Sequence, residues 1–269
     1  MLSLMMPPNL WCKKLDSMRH SGRLWVINHS IIILLMMLLA SACSEDGSEA
    51  SLTGKGGSLA RFAVSSTHLY AVDNTELHVY QFIEGGVISL VNSVTIGTGV
   101  ETIVTVDDKL YIGTNQSMMI YDISSPSNPA FVSEYIHFVG CDPVVVQDTL
   151  AFVTLRTTSC RPSSVNTLDV LDIKNTLAPA VISTYTLESP YGLGIDGNLL
   201  FVCEGENGLK VFDISNPRNL TLLKHYRNVD AYDVIPRSGI LVLTGKNGIL
   251  QYDYSDRNNI QQLSTIVIQ

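Results

Sequence analysis

The chain has 269 residues, 46% of them hydrophobic and 16% charged, which is enough to bury one all-β domain without requiring a second. Its formal charge is −8, and from Cys43 onward 13 basic residues stand against 24 acidic ones, leaving −11. So acidic a surface repels nucleic acid and anionic lipid alike, which excludes nucleic-acid binding and means that any membrane attachment must come from something other than charge.

The first segment supplies such an attachment. Arg19 and Arg23 are followed by the ten-residue apolar run IIILLMMLLA (31–40) and by the small residues Ala40-Ser41-Ala42 directly before Cys43. This pattern predicts a signal peptide over 1–42. Its end resembles a bacterial lipobox, in which Cys43 is acylated, with palmitate among its chains, and becomes the mature N-terminus. The match departs from the commonest form, because Ala40 stands where Leu is usual and Leu39 comes one place early. An uncleaved anchor over 24–42 is the alternative, but Asn28, His29 and Ser30 interrupt it and the remaining run is too short to span a bilayer. The stretch before Met18 carries Pro7-Pro8, Cys12 and Asp16, so a start at Met18 would give a more ordinary leader. Residues 43–57 are polar and Gly/Ser-rich and read as a flexible tether. Ser44 instead of Asp after the cysteine resembles the enterobacterial signal for the outer membrane. The expected location is therefore the cell envelope, lipid-anchored, either periplasmic or surface-exposed.

From residue 58 the chain repeats. HVYQF (78–82), MIYDI (119–123), DVLDI (169–173), KVFDI (210–214) and LQYDY (250–254) recur, and their fourth residues, Gln81, Asp122, Asp172, Asp213 and Asp253, are spaced 41, 50, 41 and 40 apart. The units run at about 58–98, 99–138, 139–188, 189–228 and 229–269. Each holds four apolar runs of strand length, such as YGLGI, LLFV, LKVFDI and LTLLKHY in the fourth, separated by the turn formers Asp196-Gly197, Asn207-Gly208 and Ser215-Asn216-Pro217. A four-stranded sheet that is apolar on both faces must be covered on both, and stacking such sheets around an axis achieves that. The predicted fold is all-β, a five-bladed propeller of four-stranded antiparallel blades. Ring closure is expected to rest on side-chain packing between blades one and five alone, with Gln251 weakening that seam. The aspartate column is expected to bond to the N–H groups of its own turns.

The fourth unit, GNLLFVCEGENGLKVFDISNPRNL, is similar to the LVIVD-repeat proteins, a group of bacterial β-propellers that includes many envelope lipoproteins. The resemblance spans roughly 58–269, although the first unit (ELHVYQFIEGG) and the fifth (ILQYDYSDRNN) lack the ISNP element. It implies fold and location, and no reaction.

In such a blade the first strand begins on the same face as the loop joining strands two and three. Glu101, Asp142, Tyr191, Asp230 and Tyr232 are thus expected around the channel mouth, and a ten-residue insertion in unit three brings Arg156 and Arg161 to the same face. Cys141 and Cys160 are expected to form a disulfide that ties this insertion down, worth roughly 3 kcal/mol in the chain-entropy account, leaving Cys203 as a buried thiol; a Cys160–Cys203 bridge is the alternative.

Catalytic and cofactor motifs are missing from the sequence. GLGIDG (192–197) fits GxGxxG, yet it lies between two strands and does not open a helix. His68, His78, His137 and His225 fall in different units without metal-ligand spacing, so no metal and no cofactor is expected. The expected function is a non-enzymatic binding or scaffold module that takes a protein or glycan on its loop face. A hydrolase or lyase acting on a carbohydrate or similar small molecule, with Glu101, Asp142 and Asp230 as acids or bases, is the competing reading.

Overall fold

The computed structural model describes residues 57–137, 143–156 and 165–268. Apolar runs of strand length between turn formers yield, among the described residues, twenty strands, grouped as five four-stranded antiparallel sheets in chain order. Blade one is β1 (Phe62–Val64), β2 (His68–Val72), β3 (Glu76–Ile83) and β4 (Val87–Thr95). Blade two is β5 (Val100–Val106), β6 (Lys109–Thr114), β7 (Ser117–Asp122) and β8 (Ala130–Ile136). Blade three is β9 (Val144–Gln147), β10 (Leu150–Leu155), β11 (Thr167–Asp172) and β12 (Ala180–Thr186). Blade four is β13 (Leu193–Asp196), β14 (Leu199–Cys203), β15 (Leu209–Asp213) and β16 (Thr221–Tyr226). Blade five is β17 (Asp233–Arg237), β18 (Ile240–Gly245), β19 (Gly248–Asp253) and β20 (Gln261–Val267). The architecture is the expected five-bladed propeller. Among the described residues no helix is long and apolar enough to cross a membrane.

The aspartate column caps its own turns. Asp122, Asp172, Asp213 and Asp253 each accept the N–H two residues on, at 2.8–2.9 Å. The hydroxyl and N–H of Ser124, with the Lys109 ammonium 3.0 Å away, hold the Asp122 carboxyl down at about 2. Every blade also carries a bulge at one place in its outer strand pair, after Val79, Ile120, Val170, Val211 and Gln251. The extra residue adds twist, which suits blades that fan around an axis.

Four apolar clusters among the described residues seal four seams, between blades one and two, two and three, three and four, and four and five. The faces that would meet at the fifth seam are less covered. Phe82 is 42% exposed, whereas Ile123, Ile173, Ile214 and Tyr254 at the same place in the other blades are 2–5% exposed. Gln251 is half-buried where Val79, Ile120, Val170 and Val211 are wholly buried. Polar bridges repeat the asymmetry. Asn92, Ser133 and Ser183 each donate to a carbonyl in the next blade's turn, those of Ser127, Thr176 and Pro217. Ser264, their counterpart in blade five, turns back to Gln251 within its own blade.

The expectation that packing between blades one and five alone closes the ring is therefore corrected. The segment leading into β1, residues 57–60, reaches blades four and five at the axis.

Candidate functional site

The mouth of the propeller is the face where inner strands begin and where strands two and three are joined. Asp233 is the first residue of β17, and its carboxylate accepts the Ser58 hydroxyl at 3.2 Å together with the N–H groups of Ser58 and Leu59. The Ser58 hydroxyl in turn accepts the Leu193 N–H at 2.7 Å, while Ala60 O accepts the Ile103 N–H at 3.0 Å. One short segment thus ties the inner strands of blades two, four and five around the channel. Only glycine fits beside the carboxylate: a Cβ on Gly57 or on Gly192 would lie 2.0 or 2.2 Å from an Asp233 oxygen. Burial pushes the Asp233 carboxyl up, and the hydrogen bonds it accepts counter part of that rise.

Three of the sequence-predicted residues converge beside this latch. The Arg156 guanidinium lies 4.0 Å from the Tyr191 ring centre, and the Tyr191 and Tyr232 rings meet edge-on at 5.2 Å. The backbone fixes the pair: Gly192 N–H donates to Tyr232 O at 2.8 Å, and the Thr154 hydroxyl donates to Tyr191 O at 3.1 Å. Asp230 lines an adjoining concavity of about 330 Å³ with Arg227, Asn228, Val229, Asn247, Leu250 and Thr265. Glu101, half-buried, is the extra residue of a bulge between Val100 and Thr102. Asp142, Arg161, Cys141, Cys160 and Cys43 lie outside the described residues. Cys203 is a free thiol, fully buried, and burial raises its pKa so that it stays protonated.

Two charged groups on this face escape sequence reasoning. In blade four, Glu204 is fully buried and Lys210 nearly so; the ammonium stands 2.9 and 3.1 Å from the two Glu204 oxygens, with Glu188 3.7 Å away. In blade one, His78 Nε2 lies 3.3 Å from Asp73 and 3.9 Å from Glu76. The histidines alone show no ligand spacing, but Glu-x-His on a strand places both side chains on one face, and that was the available signal.

The family description LVIVD repeat matches residues 102–136 and 192–228, within blades two and four. The chain is a β-propeller that carries LVIVD repeats in two of its five blades. No curated protein sequence matches this LVIVD propeller. Solved structures do match its fold. A protein from Lactobacillus plantarum is 15% identical with a TM-score of 0.60, the match covering 75% of this chain and 69% of that one. The periplasmic gluconolactonase PpgL of Pseudomonas aeruginosa is 11% identical with a TM-score of 0.57, covering 76% and 68%. A chain of the nidogen/laminin complex is 12% identical with a TM-score of 0.54, covering 75% and 76%. An enzyme and a protein-complex component share the LVIVD propeller's architecture, so its function must be argued from its own site.

Proposed function

We propose that this chain is an envelope lipoprotein whose propeller is a non-enzymatic binding module, taking a glycan on its mouth face. The observation that carries this reading is the braced Arg156–Tyr191–Tyr232 group beside the polar concavity at Asp230. Two tyrosines and a guanidinium held beside the ends of β10, β13 and β17 offer flat apolar surface with hydrogen-bond donors at its rim. Asn228, Asp230 and Asn247 add further donors and acceptors, and a volume of about 330 Å³ suits a sugar unit or two. Binding on an oligosaccharide array tests it. Tyr191→Ala is expected to weaken the best-bound glycan by about tenfold or more, the ~1.4 kcal/mol that one aromatic contact supplies. Failure to bind any oligosaccharide, or equal binding by Tyr191→Ala, removes the glycan reading and leaves a protein ligand to be sought.

The anchoring part rests on the run 31–40 and on Ala40-Ser41-Ala42-Cys43. Radioactive palmitate supplied to a bacterial host should label the protein, and Cys43→Ser should lose the label and accumulate precursor. Cleavage elsewhere without label would sink the lipoprotein assignment.

A further inference from the structure

We propose that Asp73, Glu76 and His78, on the mouth-side rim of blade one, bind a divalent first-row transition-metal ion such as zinc(II). One oxygen from each carboxylate and Nε2 of the imidazole lie within 4.8 Å of one another. Asp73 Oδ1 is committed to the turn, accepting the N–H groups of Thr75 and Glu76 at 2.7 Å each, which leaves Oδ2 to face the histidine. His78 is fixed from outside the group: its Nδ1 bonds the Ser93 hydroxyl on β4 at 2.9 Å, which turns Nε2 toward the two acids.

Comparison among the blades shows that the fold does not need this arrangement. The turn that Asp73 caps is capped in blade two by a neutral Thr114 hydroxyl, which accepts the N–H groups of Gln116 and Ser117. At the place of Glu76 the other blades have Ser117, Thr167, Gly208 and Gly248, and at the place of His78 they have Met119, Asp169, Lys210 and Leu250.

Blade four makes the electrostatic requirement explicit. There, too, two acids, Glu204 and Glu188, face one basic side chain, and that side chain is the permanently charged Lys210. Blade one keeps the two acids and has the His78 imidazole in place of the ammonium. Among the described residues no lysine or arginine pairs with Asp73 or Glu76. Blade one builds in no such lysine, and a metal ion between the two acids and the imidazole would take its place. Two carboxylate oxygens with one imidazole nitrogen are donors suited to zinc, manganese, cobalt or nickel, and the nitrogen disfavours calcium and magnesium. Three protein donors leave coordination positions open toward the solvent on the mouth side.

The test is calorimetric titration of the full chain, stripped with chelator, with zinc chloride alone. One saturable site is expected that calcium does not compete for. Glu76→Gln should weaken it by more than the roughly tenfold that losing an outer-sphere partner costs. His78→Lys supplies blade four's solution, and should abolish the site while far-ultraviolet circular dichroism stays unchanged. Absence of saturable zinc binding in the unaltered chain, or undiminished binding by folded His78→Lys, overturns the proposal.

Discussion

Truncating Phe201 to alanine should lower the unfolding free energy by about 3–5 kcal/mol, whereas Val242→Ala at the same place in blade five should cost only about 1 kcal/mol. Tyr70, Tyr111, Phe152 and Phe201 occupy one column on the face each blade turns to its successor, and all are 0–4% exposed. Phe201 pairs across strands with Val211 and belongs to the cluster that seals blades four and five, its ring edge-on to Tyr254 at 5.1 Å. Removing it opens a cavity walled by two sheets that cannot collapse toward each other. Val242 opposes Gln251 and is only half-buried, so alanine there gives up a few partly solvated contacts. Urea denaturation of both variants measures the difference directly. Equal costs would mean that the seam between blades five and one is packed like the other four.

A second large effect is expected from Glu204→Ala, about 3–5 kcal/mol, because it strands the Lys210 ammonium in a place nearly closed to water. Lys210→Met alone should cost a comparable amount, for it leaves Glu204 fully buried without its cation. Glu204→Leu combined with Lys210→Met removes both charges, and should return to within about 1 kcal/mol of the starting stability. A double-mutant cycle reads the coupling. Simple addition of the two single costs would show that the pair is solvated and contributes little.

How far the sequence exposes this molecule depends on whether a feature repeats. The strand columns and turn aspartates recur about every forty residues, and blade-to-blade packing dictates them, so periodicity alone recovers them. The missing ISNP element of unit one is also legible once its role is known: the carbonyls of Ser127, Thr176 and Pro217 in these turns receive the previous blade's side chains. Blade one has no sealed predecessor and carries Glu84-Gly85-Gly86 instead. Non-repeating features were hidden. Ser58 meets Asp233 across 175 residues, and nothing local to either residue announces it. Lys210 reads as a surface residue in a strand until Glu204 is placed beneath it. Tyr191, Tyr232 and Arg156 were found because mouth positions follow from strand order, whereas their stacking required the backbone bonds that set ring against ring.

The latch at the mouth also decides how the domain responds to being pulled. Gly57 lies against Asp233 at the axis, so tension applied at that end of the described residues reaches Asp233 and Ser58 before it reaches any sheet. The bonds there are few and lie in series with the load, whereas the β1–β2 ladder behind them would have to separate as a set. Under traction the bonds at Ser58 and Asp233 should yield first, with the blades intact. Load on that segment and exposure of the Asp233 carboxylate would then be one variable.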